Sequence, residues 1–207
     1  MKIVCIADTH MQESSVKIPE CDILIHAGDC DIRTLDQLEK LNAWFYNQPA
    51  KYKIFVAGNH DFYLEKLNYH SVCDILNSCH YLFNNSIEIN GLKIWGSPYS
   101  PKFNDWAFMM SSMNLSDFIW SKIPEDSDII ITHCPPWGIM DLTDIGNYHT
   151  GCPGLSKKIK EIQPKLHIFG HIHEGYGKYT DYKTDFINAS QMTSTYKLEN
   201  KPIELEL

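Results

Sequence analysis

Short apolar runs that stop at polar clusters set the rhythm of this chain. Residues 3–7, 22–27, 54–57, 128–132 and 166–169 are rich in Ile, Val, Leu and Phe and have the length of buried strands. They end, in order, at Asp8-Thr9-His10, Gly28-Asp29, Gly58-Asn59-His60-Asp61, His133 and Gly170-His171-Ile172-His173. A helical period lies between them. Leu35, Leu38, Leu41 and Phe45 predict an amphipathic helix over Leu35–Tyr46, closed by Pro49. Leu155, Ile159 and Ile162 predict another, stopped by Pro164. Short strands are expected at 81–83, 87–89 and 92–95, with Asn90-Gly91 as a hairpin turn. Helical segments are expected over 67–76 and 116–122, and the tail alternates around 186–188, 195–198 and 203–207. Residues 97–113 form a long loop carrying Pro98, Tyr99, Pro101, Phe103, Trp106 and Phe108. Its aromatic rings suit either the wall of a pocket or a cover over the core.

With 207 residues, the chain suits one domain spanning 1–207, with no internal repeat or linker to divide it. A hydrophobic share of 43% beside 21% charged residues is that of a soluble globular protein. The net charge of −8 and the lack of a Lys/Arg stripe disfavour a long nucleic-acid track. No stretch is long and apolar enough for a membrane helix, and Asp8 and His10 interrupt any signal-like run, so a cytoplasmic location is expected. The seven cysteines include no Cys-x-x-Cys pair and read as reduced, mostly structural thiols.

Ligands of layered α/β proteins bind beyond the carboxyl ends of the strands. If the five strand ends share one edge, that edge gathers Asp8, Asp29, Asn59, His10, His60, His133, His171 and His173. Imidazole and carboxylate together suit divalent manganese, iron, zinc or cobalt. So many ligands exceed the four of one tetrahedral ion, and two ions sharing a carboxylate match the number better. His26 and His167 lie inside strands and read as core histidines with a hydrogen-bond partner.

Taken together, Asp-x-His, Gly-Asp, Gly-Asn-His-Asp, a lone His and Gly-His-x-His resemble, in that order, the calcineurin-like metallophosphoesterase superfamily. Gly96-Ser97-Pro98-Tyr99, Thr132-His133-Cys134-Pro135-Pro136, residues 170–177 and Asn188-Ala189-Ser190 bring the chain nearer the metallophosphoesterase-domain-containing branch, related to class III cyclic-nucleotide phosphodiesterases. The resemblance implies an α/β fold, a four-layer α-β-β-α sandwich of two mixed sheets flanked by helices. It also implies two divalent ions, manganese first, with iron, zinc, cobalt or nickel as alternatives. One ion would take Asp8, His10, Asp29 and His173, and the other Asp29, Asn59, His133 and His171. His60 would contact the phosphate and act as general acid, with Asp61 orienting it. Asn59, His60, Tyr99, Phe103 and Trp106 would bind substrate. The implied activity is a phosphodiesterase on small diesters, cyclic nucleotides included, in which a metal-bridging hydroxide attacks phosphorus. A phosphomonoesterase, a nuclease or a weakly active nucleotide-binding protein are the alternatives, and no protein partner can be inferred. The Ser/Thr phosphatases of the superfamily continue Gly-Asp-x-x-Asp-Arg-Gly. Here Gly28-Asp29-Cys30-Asp31-Ile32-Arg33 breaks that spacing and argues against protein phosphatase activity.

Overall fold

The computed structural model describes residues 1–207 except Ile145 and Tyr182. Two sheets face each other. The first contains β1 (Lys2–Ile6), β2 (Cys21–His26), β3 (Ala50–Phe55), β4 (His80–Tyr81) and β13 (Ile203–Glu206), in the order β13-β1-β2-β3-β4. The second contains β5 (Asn85–Ile89), β6 (Leu92–Ser97), β9 (Ile129–Thr132), β10 (Leu166–Phe169), β11 (Gly177–Thr180) and β12 (Asp185–Asn188), in the order β11-β12-β10-β9-β6-β5. A two-stranded ribbon, β7 (Ser100–Pro101) with β8 (Met109–Met110), sits within the aromatic loop. β1 to β4 pair in parallel, as do β6, β9, β10 and β12, while β13, β5 and β11 close the edges antiparallel.

Alternation along the strands builds the layers, because successive side chains point to opposite faces. Ile3, Cys5, Ile23, Ile25 and Ile54 of the first sheet meet Ile94, Ile129, Ile131, Ile168 and Ile187 of the second in the inner core. The intervening Val4, Ile6, Leu24 and Phe55 point outward onto Leu38, Leu41 and Phe45 of α1 (Leu35–Tyr46). Across the molecule, Trp95, Ile130, Phe169 and Phe186 pack on Trp120 and on Leu155 and Ile159 of α5 (Pro153–Ile162). The result is the four-layer α-β-β-α sandwich that the resemblance implies. Strands buried on both faces explain the uninterrupted apolar runs.

Local chemistry fixes the element ends. Thr34 and Gln37 form a reciprocal capping box at the start of α1. Pro153 opens α5, and Gln163 closes it in the left-handed region just before Pro164. Asn90 and Gly91, at φ 52° and 79°, make the expected hairpin turn. Other segments differ from the pattern. The helix expected over 67–76 is α3 (Tyr69–Ile75), which the Asn68 side chain caps by accepting from Ser71 N, and a separate short helix, α2 (Phe62–Lys66), precedes it. The helix expected at 116–122 begins earlier, at α4 (Ser112–Asn114), where Ser111 is the cap, and runs on through a wide turn to Lys122. β3 extends back to Ala50, since Lys51 and Lys53 alternate out of its first half. Edge strand β11 was hidden by its exposed side chains, and 195–198 forms a turn with Tyr196 at φ 56° rather than a strand.

Candidate metal centre

All five polar clusters lie beyond the C-terminal ends of parallel strands: β1, β2 and β3 in one sheet, β9 and β10 in the other. The sheets are stitched together at this edge. Ala7 N donates to Ala189 O at 2.8 Å, and Gln191 N donates to Ala7 O at 2.8 Å. Asp8, His10, Asp29 and His171 have φ values of 51°, 45°, 61° and 68°. Left-handed backbone costs a non-glycine residue about 1–3 kcal/mol and gathers at functional sites. The motif glycines leave room for the ligands rather than merely turning the chain. A Cβ on Gly170 would lie 2.3 Å from Asp8 Oδ2, and one on Gly58 would lie 2.2 Å from Asp29 Oδ1.

Two groups of side chains converge. Asp8, His10 and His173 bring one ligand atom each within 4.8 Å of one another, as do Asp29, His133 and His171. Asn59 joins the second group, its Oδ1 lying 2.9 Å from His133 Nε2. His171 links the two, because its backbone N donates to both Asp8 carboxylate oxygens, at 3.1 and 2.9 Å. The imidazoles are aimed by their far nitrogens. His10 Nδ1 meets Asp31 Oδ2 at 3.3 Å, His133 Nδ1 meets Ala27 O at 2.9 Å, and His173 Nδ1 meets Thr193 O at 3.1 Å. Those partners are acceptors, so each Nδ1 carries the proton and each Nε2 offers a lone pair.

Acceptors then face acceptors. His10 Nε2 and His173 Nε2 stand 3.4 Å apart, and His133 Nε2 stands 3.3 Å from Asp29 Oδ2 as well as near Asn59 Oδ1. Lone pairs held this close in a buried site call for a cation between them, so the donor set fits divalent ions. Without an ion, a proton on His133 Nε2 answers the same demand, donating to Asn59 Oδ1 and facing Asp29. Burial opposes a charge on His133, yet Asp29 beside it drives the imidazole up to about 9. Burial likewise opposes ionisation of Asp29, but His133 holds its carboxyl well below the usual range. Burial, with His133 adding to it, pushes His171 down to about 3, leaving a neutral imidazole.

Asp61 has a different role from orienting His60. Its Oδ2 accepts from Gly58 N at 2.7 Å and Asp29 N at 3.1 Å, and its Oδ1 from Cys30 N at 3.0 Å and Ile32 N at 3.1 Å. With every lone pair turned to backbone, the carboxylate ties the loop after β2 to the loop after β3. The residue beside His60 is Asp31, whose Oδ1 lies 3.4 Å from His60 Nδ1 while its Oδ2 faces His10. Arg33 Nη2 donates to the same Oδ1 at 3.0 Å. Burial works against ionisation of Asp31, but His10, His60 and Arg33 keep its carboxyl well below the usual range. One carboxylate therefore hydrogen-bonds His10 and stands as the counter-charge beside His60. Asp31→Asn is expected to lower manganese affinity and turnover by about 10–100-fold with the fold retained, as measured by manganese titration beside hydrolysis.

A cleft of about 410 Å³ opens beside these groups. His60, Phe103 and Trp106 line it, with Trp106 packed 5.1 Å from His60 and Phe103 6.1 Å from Trp106. Tyr99 does not belong to it. That ring packs on Phe83 and Phe108 and lines a separate small cavity with Leu64 and Val72, because the ribbon β7–β8 turns it toward the outer core. The opposite wall includes Tyr196, with its ring 5.2 Å from His10 and 4.9 Å from His173. The sequence pattern signals neither Tyr196 nor the Thr193 carbonyl, since both reach the centre from the tail. Asp31 carried a signal, as an acid two residues beyond Gly-Asp. No helix among the described residues is long and apolar enough to cross a membrane.

Comparison with known proteins agrees with this geometry. The model of the calcineurin-like phosphoesterase family matches residues 1–175. Metallophosphoesterase domain-containing protein 1 of Homo sapiens is 36% identical over 230 aligned positions, which cover 100% of this chain and 71% of its own. Among solved structures, one superposes with a TM-score of 0.64 at 16% identity, covering 90% of this chain and 89% of its own. The phosphopantetheinyl hydrolase PptH of Mycobacterium tuberculosis superposes with a TM-score of 0.55 at 14% identity, covering 91% and 88%. These two likenesses concern the fold alone. With its ligand-bearing strand ends and its sequence both matching, the chain belongs to the calcineurin-like phosphoesterase family of metal-dependent phosphoester hydrolases.

Proposed function

We propose that this protein hydrolyses small phosphodiesters, with cyclic nucleotides as the leading candidates, at a centre of two divalent ions, manganese foremost. Asp8, His10 and His173 would hold one ion, Asn59, His133 and His171 the other, and Asp29 both. When bound, the ions supply a nucleophile at neutral pH and stabilise charge developing on phosphorus oxygens. The observation that carries the diester reading is the poverty of positive charge around the cleft. Lys102 is the one Lys or Arg among the described residues that line it, and it pairs with Asp105 at 3.3 Å. Arg33 is engaged by Asp31. A dianionic monoester calls for more cationic donors than this, whereas a monoanionic diester with an apolar or aromatic substituent does not.

The chain's own groups have separable tasks in this reading. Asp31 occupies the Nδ1 side of His60, so the proton delivered to the leaving oxygen would travel from Nε2. Asn59 Nδ2 is buried without a partner and is available to donate to a phosphoryl oxygen. Trp106 and Phe103 offer a face for a planar substituent. Loss of one stacking ring costs about 1–3 kcal/mol. Trp106→Ala is accordingly expected to raise KM for a cyclic nucleotide about 5-fold or more, with a smaller change in kcat, as measured by steady-state kinetics.

Hydrolysis of a chromogenic diester beside its monoester, with manganese and with or without chelator, tests the reading. Chelator-sensitive preference for the diester is expected. Preference for the monoester would overturn it.

A further inference from the structure

Two buried histidines outside the ligand set make the same contact in opposite sheets. His26 in β2 places Nε2 3.0 Å from Thr9 Oγ1, and His167 in β10 places Nε2 2.9 Å from Thr132 Oγ1. All four residues are fully buried. Thr9 stands between Asp8 and His10, and Thr132 directly precedes His133. Each pair joins neighbouring parallel segments, the turn after β1 to β2 in one sheet and β9 to β10 in the other.

The direction of each contact follows from counting protons. A hydroxyl has one hydrogen to donate. That of Thr9 goes to Glu13 Oε1 at 3.1 Å, and that of Thr132 to Cys134 O at 2.7 Å. Each threonine oxygen must then accept from the histidine, so both imidazoles carry their proton on Nε2. At His26 the other nitrogen agrees, because Nδ1 accepts from Gly28 N at 3.2 Å. A hydroxyl fixed through both its proton and a lone pair cannot rotate, and the backbone that carries it is held with it. The left-handed Asp8 and His10 persist only where their surroundings over-determine them.

We propose that Thr9–His26 and Thr132–His167 are two independent clamps, each positioning the metal ligands of one group: Asp8 and His10 in the first, His133 in the second. The proposal rests on the two-ion reading of the centre. The clamps touch neither ion nor substrate, so they are positioning residues. Replacing threonine by valine keeps the shape and removes the hydroxyl, while serine keeps the hydroxyl.

Manganese binding to the chelator-stripped full chain is the test, with two binding steps resolved by calorimetry. Thr9→Val is expected to weaken by about 10-fold or more the step that is lost in His173→Gln. Thr132→Val is expected to weaken, by a similar factor, the step that is lost in His171→Gln. Thr9→Ser and Thr132→Ser are expected to bind as the unchanged protein does. His26→Leu and His167→Leu remove the other half of each clamp and are expected to give the same split, which serves if a valine variant does not fold. Unaltered binding in these variants would overturn the clamps while leaving the two-ion centre standing. So would equal weakening of both steps, the mark of a general loss of structure. An unchanged protein that bound fewer than two ions would overturn the two-ion reading and the clamps with it.

Discussion

Asp29→Asn is expected to lose ion binding at the group of Asn59, His133 and His171 and to lower metal-dependent hydrolysis by more than about 100-fold. Changes to residues that merely support a ligand already cost about 10–100-fold, and Asp29 is itself placed to bind. Its carboxylate stands 3.3 Å from His133 Nε2 and is the charge that raises His133 despite burial. Asparagine removes that charge and turns either an amide nitrogen or a neutral oxygen toward the imidazole. The backbone has less to lose. Asp29 Oδ1 accepts from His60 N at 2.8 Å, and an amide oxygen can accept that bond equally. Folding is therefore expected to survive while binding and turnover collapse, as read by manganese titration, far-UV circular dichroism and diester hydrolysis on one preparation. Wild-type turnover in this variant would contradict the assignment.

Asp61→Ala should act in the opposite way, on stability before chemistry. Four buried N–H groups, those of Gly58, Asp29, Cys30 and Ile32, would lose their acceptor. An orphaned buried donor costs about 1–3 kcal/mol, so the sum is at least about 4 kcal/mol even at the low end. For a chain of this size that is a fall in Tm of roughly 8–16 °C. The carboxylate's own burial returns part of it. Burial first, and then the nearby Asp29 charge, push Asp61 up to about 7 in spite of the four amides. Thermal unfolding of the metal-free protein measures the effect without reference to activity. A residue that served only to orient His60 would leave Tm unchanged and reduce turnover alone.

The contrast between Asp61 and Asp31 shows where the sequence ceased to be legible. Strand ends were readable because burial on both faces imposes apolar runs, and each run stopped where its ligand began. Asp8, His10, Asp29, Asn59, His133, His171 and His173 consequently stood out, as did the core histidines His26 and His167. The resemblance then offered Asp61 to orient His60. That assignment failed because the left-handed turns at Asp29 and Asp31, with φ 61° and 62°, carry Asp31 back toward the cleft. A departure from the phosphatase spacing concealed a carboxylate that still reaches the histidine. Backbone anchors leave no residue signature at all. The carbonyls of Ala27 and Thr193 aim His133 and His173 without any demand on side-chain type. Tyr99 misled for a related reason, since aromatic rings a few positions apart on a looped ribbon face different sides.

Diffraction from crystals soaked in manganese, recorded for its anomalous signal, tests the central assignment most directly. Two peaks are expected, one among Asp8, His10 and His173 and one among Asn59, His133 and His171, with Asp29 in contact with both. A single peak, or ions bound away from these side chains, would contradict it.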